Sequence, residues 1–139
     1  MFINTKQSGC LIGCLCIVLL SITSCLNDEQ RLVNKWQLRQ YQYSDGSTRR
    51  EDSVFYNFQK GSFSAVCLLP DNTYRDYYGN YSLQDATLTI TLLPEAVTDG
   101  HYGRYLGWEH GERTFTIGGL TASSLLLEHA GVRYLFRAY

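Results

Sequence analysis

The clearest pattern in the chain lies at Ala86–Leu92, where Ala86, Leu88, Ile90 and Leu92 alternate with Thr87, Thr89 and Thr91. Strict alternation marks a strand with one face buried and one face wet. The same period recurs along most of the chain. Leu32, Asn34, Trp36 and Leu38 share one side of a first strand, Leu32–Tyr43. Val54, Tyr56 and Phe58 oppose Asn57 and Gln59 in Ser53–Gln59, and Phe63, Ala65, Cys67 and Leu69 oppose Ser62 and Ser64 in the next. Thr73–Leu83 reads as a long strand carrying Tyr74, Tyr77, Tyr78 and Tyr81, with a bulge or bend expected at Gly79. Arg104–Glu109, with Leu106 and Trp108 on one side, reads as a further strand. Glu112–Ile117 alternates Phe115 and Ile117 with Thr114 and Thr116. Ser124–Glu128 and Val132–Tyr139 close the series, the last placing Val132, Tyr134, Phe136 and Ala138 on one face.

The punctuation between these runs is turn chemistry. Asp45-Gly46, Lys60-Gly61, Pro70-Asp71-Asn72, Gln84-Asp85, His110-Gly111 and Ala130-Gly131 are all short, and such loops join antiparallel neighbours. Thr48–Asp52 reads as a solvated charge run and Gly118–Ala122 as a loop. Pro94–Gly103 is the longest break, with one helical turn expected at Pro94–Val97. The sum is an all-β domain of eight or nine antiparallel strands. An up-and-down barrel removes its exposed edges by closing on itself, and a two-sheet sandwich satisfies the same pattern.

The beginning of the chain follows a different rule. Met1–Gly9 is polar with one basic residue, Lys6, and Cys10–Leu20 is apolar throughout. An apolar run of that length suits a signal-peptide core and falls short of the roughly 20 residues a bilayer span needs. Ile22-Thr23-Ser24-Cys25 then resembles the bacterial lipobox, an aliphatic residue and two small ones leading into a cysteine. The resemblance implies a diacylglycerol thioether on Cys25, cleavage before it, and acylation of the new amino end. On that reading residues 1–24 are a signal peptide, 25–31 a lipidated tether and 32–139 the folded domain. Leu26 stands where an Asp would favour inner-membrane retention, so the outer membrane is expected; Asp28-Glu29 resembles a short acidic signal for export to the cell surface.

Composition narrows the function. The chain has 139 residues and a formal charge of −1, and loss of Lys6 with the signal makes the mature charge −2. No basic patch stands out, which argues against nucleic acid as a partner. Of the five cysteines, Cys10, Cys14 and Cys16 leave with the signal and Cys25 carries lipid, so only Cys67 remains. The domain then has no internal disulfide and must stand on packing. Aromatic residues make up 14%, including 11 tyrosines, against two prolines, which again favours strands.

Three short stretches carry a resemblance over Leu32–Tyr139: Asn34-Lys35-Trp36-Gln37-Leu38, Phe55-Tyr56-Asn57-Phe58 and Tyr134-Leu135-Phe136-Arg137. They are similar to the small lipocalin-like lipoproteins of Gram-negative gut-type anaerobes. In lipocalins an early Trp, two places after a Gly, packs under an Arg of the last strand and closes one barrel end. Trp36 fits that Trp, Arg137 or Arg133 fits the Arg, and Asn34 departs from the Gly. The resemblance implies a binding protein for a small, often apolar molecule. Tyr56, Phe58, Tyr77, Tyr81, Trp108, Phe115 and Phe136 are then candidates to line a pocket, although the same rings would serve as plain barrel core. The alternative is an interaction subunit with a filled barrel, docking an envelope protein or glycan through Tyr102, Tyr105 and Trp108 on the long loop.

No catalytic constellation emerges, and no cofactor or metal is expected. His101, His110 and His129 are scattered singly, while a zinc site needs three or four convergent ligands. Cys67, between Ala65 and Leu69, reads as a small buried hydrophobe. Asp52-Ser53-Val54 resembles a bacterial O-glycosylation acceptor at Ser53. Asn80-Tyr81-Ser82 is formally an N-glycan acceptor, a modification that the lipobox argues against.

Overall fold

The alternating runs become nine strands among the described residues, 28–139 of a computed structural model. The expected signal segment, the lipobox and Cys25 lie outside the described residues. The strands are β1 (Lys35–Gln42), β2 (Thr48–Arg50), β3 (Val54–Gln59), β4 (Ser62–Leu68), β5 (Tyr74–Gln84), β6 (Thr87–Leu92), β7 (Glu112–Leu120), β8 (Ser124–His129) and β9 (Val132–Ala138). From β3 to β9 each pairs antiparallel with the next, and β9 returns to β1, so eight strands close into a barrel and β2 is a ninth laid on β1. Trp36 opposite Ala138 and Tyr41 opposite Tyr134 are part of that closing seam. The closure decides between barrel and sandwich in favour of the barrel.

β1 explains the extra strand. Its Lys35–Gln37 half pairs with β3, and its Gln40–Gln42 half pairs with β2 on the same edge. Against β9 the register slips between Leu38 and Gln40, which makes Arg39 the extra residue of a bulge. The inward series therefore runs Trp36, Leu38, Tyr41 instead of keeping strict alternation. Thr48–Arg50, read from sequence as a charge run, is exposed yet forms a short strand against β1.

Three further expectations change. β5 runs without a break through Gly79, whose role is clearance: a Cβ there would clash with the Thr91 carbonyl oxygen of β6. β7 continues through Gly118 and Gly119 to Leu120, taking up the slack in a register shift between Ile117 and Gly119. Residues 104–109 are not a strand. Tyr102–Leu106 is a short helix, stopped by Gly107 in the left-handed region at φ 71°.

Inward residues make one core. Trp36, Leu38, Tyr56, Phe58, Tyr77 and Phe115 are among those less than 2% exposed. The pairing pattern puts residues 43–47, 69–73, 93–111 and the Ala130–Gly131 turn at one end, here the mouth. At the other end Leu32 is fully buried and its carbonyl accepts a hydrogen bond from Trp36 Nε1 at 2.9 Å.

Candidate functional site

The mouth is covered by the connection between β6 and β7. It holds two short helices, Pro94–Thr98 and Tyr102–Leu106. Pro94 opens the first, where its fixed φ suits a helix start. Gly100 (φ 72°) and Gly107 (φ 71°) bracket the second and supply conformations other residues resist. Just after it, the chain drops Trp108 into the barrel. Leu106 and Trp108 are 3% and 2% exposed. The Trp108 ring stacks on Phe63 at 6.2 Å and meets Phe115 edge-on at 6.2 Å, and its Nε1 donates to the Tyr56 hydroxyl at 3.2 Å. This cover is held from its flanks by an Arg75–Asp99 ion pair at 3.6 Å and by Val97, which packs where a Cβ on Gly111 would otherwise sit.

Beneath the cover lies Arg113, the one charged side chain that is buried among the described residues. Its Nη1 donates to the Tyr134 hydroxyl at 2.9 Å and its Nη2 to the Gly107 carbonyl at 3.3 Å, and the guanidinium stands 5.6 Å from the Trp108 ring. None of the described residues offers it an ion-pairing carboxylate. Burial raises the Tyr134 hydroxyl above its ordinary value, with Arg113 pulling the other way, and pushes that of Tyr56 well up. The Tyr77 hydroxyl is buried with no hydrogen-bond partner. Arg113 escaped the sequence reading because charge disqualified it from the core. Its place in the alternation Arg113, Phe115, Ile117 was the available signal.

The seven candidate pocket residues all lie inside the barrel. Tyr56, Trp108 and Phe115 gather at the mouth, with Phe136 5.0 Å from Tyr56. Phe58 and Tyr81 meet edge-on at 5.2 Å, and Phe58 touches Phe63. Tyr77 stands against the Cys67, Arg75 and Tyr105 side. A water-sized void beside Tyr56, Phe58, Tyr77 or Phe115 would leave accessible surface on them, and each keeps less than 2%. The lumen is therefore packed tightly around these four rings.

The expected end closure takes another shape. Trp36 points inward, whereas Arg137 leaves the wall on the outer face and donates from Nε to Gln37 Oε1 at 2.9 Å. Arg133 is also outside, paired with Glu128 at 3.4 Å. Side chains on opposite faces of the wall cannot stack, so neither arginine covers Trp36; the tryptophan beside a buried arginine is Trp108. Tyr102 and Tyr105 are half-buried against the core, Tyr105 lying 5.8 Å from the Arg75 guanidinium. Cys67 is buried, and burial pushes its thiol up to about 12. His101 sits 3.7 Å from Asp99, and His129 Nδ1 lies 2.9 Å from the Thr114 carbonyl. No cluster of metal-ligating side chains exists among the described residues. The Ser53 hydroxyl donates to Glu51 at 2.6 Å.

Outside the barrel, Asn34, Lys35, Asn57, Gln59, Ser64 and Tyr78 line an open cleft of about 540 Å³. Tyr78, 56% exposed, also borders a second cleft with Leu93 and Ala96.

The lipocalin-like domain matches residues 18–139. The chain belongs to the lipocalin-like family. Among solved structures it is similar to a lipocalin-like protein from Bacteroides uniformis ATCC 8492, at 54% identity and TM-score 0.75, covering 78% of this chain and 99% of that one. A crystal structure of an uncharacterized protein from Bacteroides eggerthii DSM 20697 is similar at 42% identity and TM-score 0.71, with 78% and 99% covered. No curated protein matches the chain.

Proposed function

We propose that this lipocalin-like chain is a lipid-anchored envelope protein, held in the outer membrane through Cys25, that binds a small apolar or amphipathic molecule at its barrel mouth. The observation that carries the reading is the origin of the plug. Leu106 and Trp108 reach the core from a glycine-bracketed connection and not from the wall, so a local movement of the cover would empty the space they fill. Binding would exchange Trp108 for ligand, and a standing cavity is not required.

A second reading is favoured by a specific observation: a packed lumen beside an exposed cleft. In that case the chain docks an envelope protein or glycan from outside, through the cleft with Tyr78. Native mass spectrometry of the full chain purified from its own host separates the two. A retained small molecule whose occupancy rises in Trp108→Ala, where the plug is gone, supports the mouth. A bare mass, with a partner released by Tyr78→Ala and not by Trp108→Ala, overturns it in favour of the outer cleft.

A further inference from the structure

We infer that the mouth is built for an apolar molecule bearing one carboxylate, received by the Arg113 guanidinium; this rests on the mouth-binding reading above. The argument begins with donors and acceptors. Arg113 carries five N–H donors and, 92% buried, meets only neutral groups: a hydroxyl, a carbonyl and a ring face. A buried cation is costly unless an anion or a full set of acceptors compensates it. The hydroxyls around it each accept one hydrogen bond, Tyr134 from Arg113 and Tyr56 from Trp108, so each still has its own proton to offer. Under the same cover, the Tyr77 hydroxyl is a further buried donor without a partner. The mouth is thus rich in donors and poor in acceptors, and a carboxylate supplies the missing oxygens in the geometry a guanidinium fork prefers. One buried cation matches one negative charge. The Phe115 and Tyr56 rings, which face the space Trp108 fills, match an apolar body.

The same geometry links recognition to opening. Of the three partners of Arg113, Gly107 and Trp108 belong to the cover and only Tyr134 belongs to the wall. The closed cover therefore uses the guanidinium as its clasp. A carboxylate arriving at Arg113 replaces the Gly107 carbonyl and the Trp108 ring, and the cover is released by the ligand that needs the room. Tyr134 keeps the side chain aimed in both states.

The test is calorimetric titration of the full chain at neutral pH with decanoate and with decanol, equal in length and different in charge. Charge-assisted hydrogen bonds predict that decanoate binds roughly 10- to 100-fold tighter. Arg113→Met should remove that preference and Arg113→Lys should keep part of it, with circular dichroism confirming that each variant is folded. Equal binding of the two probes to the unaltered chain overturns the assignment to Arg113 and leaves mouth binding intact. No heat from either probe, together with no molecule retained from the host, overturns both. A retained host molecule carrying an acid group supports the assignment, and one without an acid group overturns it.

Discussion

At the scale of single residues, the interior is held in neutral forms. Burial pushes the Cys67 thiol from its ordinary 9.0 to about 12, and the Tyr41 hydroxyl from 10.0 to about 12. Tyr77 moves likewise from 10.0 to about 12, with desolvation leading and Asp99 adding to it. Each folded value lies above the unfolded one, so the fold binds protons more tightly than the unfolded chain. The stability this contributes is complete below about pH 9 and is lost as pH rises toward 12. The urea midpoint should therefore stay level from about pH 7 to 8.5 and then fall steadily. A midpoint that holds constant to pH 11 would show that these groups are not buried as described. Tyr77 permits a sharper check. Its hydroxyl is dehydrated without a partner, so Tyr77→Phe should raise the unfolding free energy by about 1 kcal/mol, measured by denaturant titration.

At the scale of elements, two glycines mark where backbone and cover approach closest. Gly79 faces only backbone of β6, which cannot yield, so Gly79→Ala should destabilise the barrel by about 1–3 kcal/mol. Gly111 faces the Val97 side chain, which can move with the cover. Gly111→Ala should thus leave the unfolding midpoint nearly unchanged while exposing Arg104 in the second helix to faster cleavage by trypsin, read as the rate of a single early cut. Alternation made most of the wall legible, because in β3, β4, β6 and β9 every second side chain enters one core. Three elements escaped it for physical reasons. β2 buries no side chain, its exposed Arg49 lying over the Tyr41 ring, so hydrophobic pattern is silent there. Leu106 and Trp108 are both buried and two residues apart, which imitates a strand, although one ends a helix and the other follows a left-handed glycine. The closing seam joins residues about a hundred apart, as at Gln37 and Arg137, and no local signal reports such a pairing.

At the scale of the whole molecule, the distribution of polarity settles what the barrel wall can touch. Its outward positions include Ser82, Thr89, Thr91, Thr114 and Thr116, while Leu88, Ile90 and Phe115 point in. A membrane-spanning barrel has the opposite arrangement, with an apolar band outside. Among the described residues no helix is long and apolar enough to cross a bilayer either. Residues 31–139 form one compact unit, and the proposed membrane attachment rests on the lipid at Cys25. One acyl chain binds a bilayer reversibly, at about 0.8 kcal/mol per buried CH₂, and the three of a mature lipoprotein hold essentially for good. Cys25→Ala in the full chain should therefore move the protein from the membrane pellet to the soluble fraction of its host. Thermal unfolding of the barrel should stay unchanged, because the barrel's core and strands are built from residues 32–139. Retention of Cys25→Ala in a carbonate-washed pellet would mean that another contact, protein or glycan, holds the chain at the envelope, and would shift weight to the outer cleft beside Tyr78.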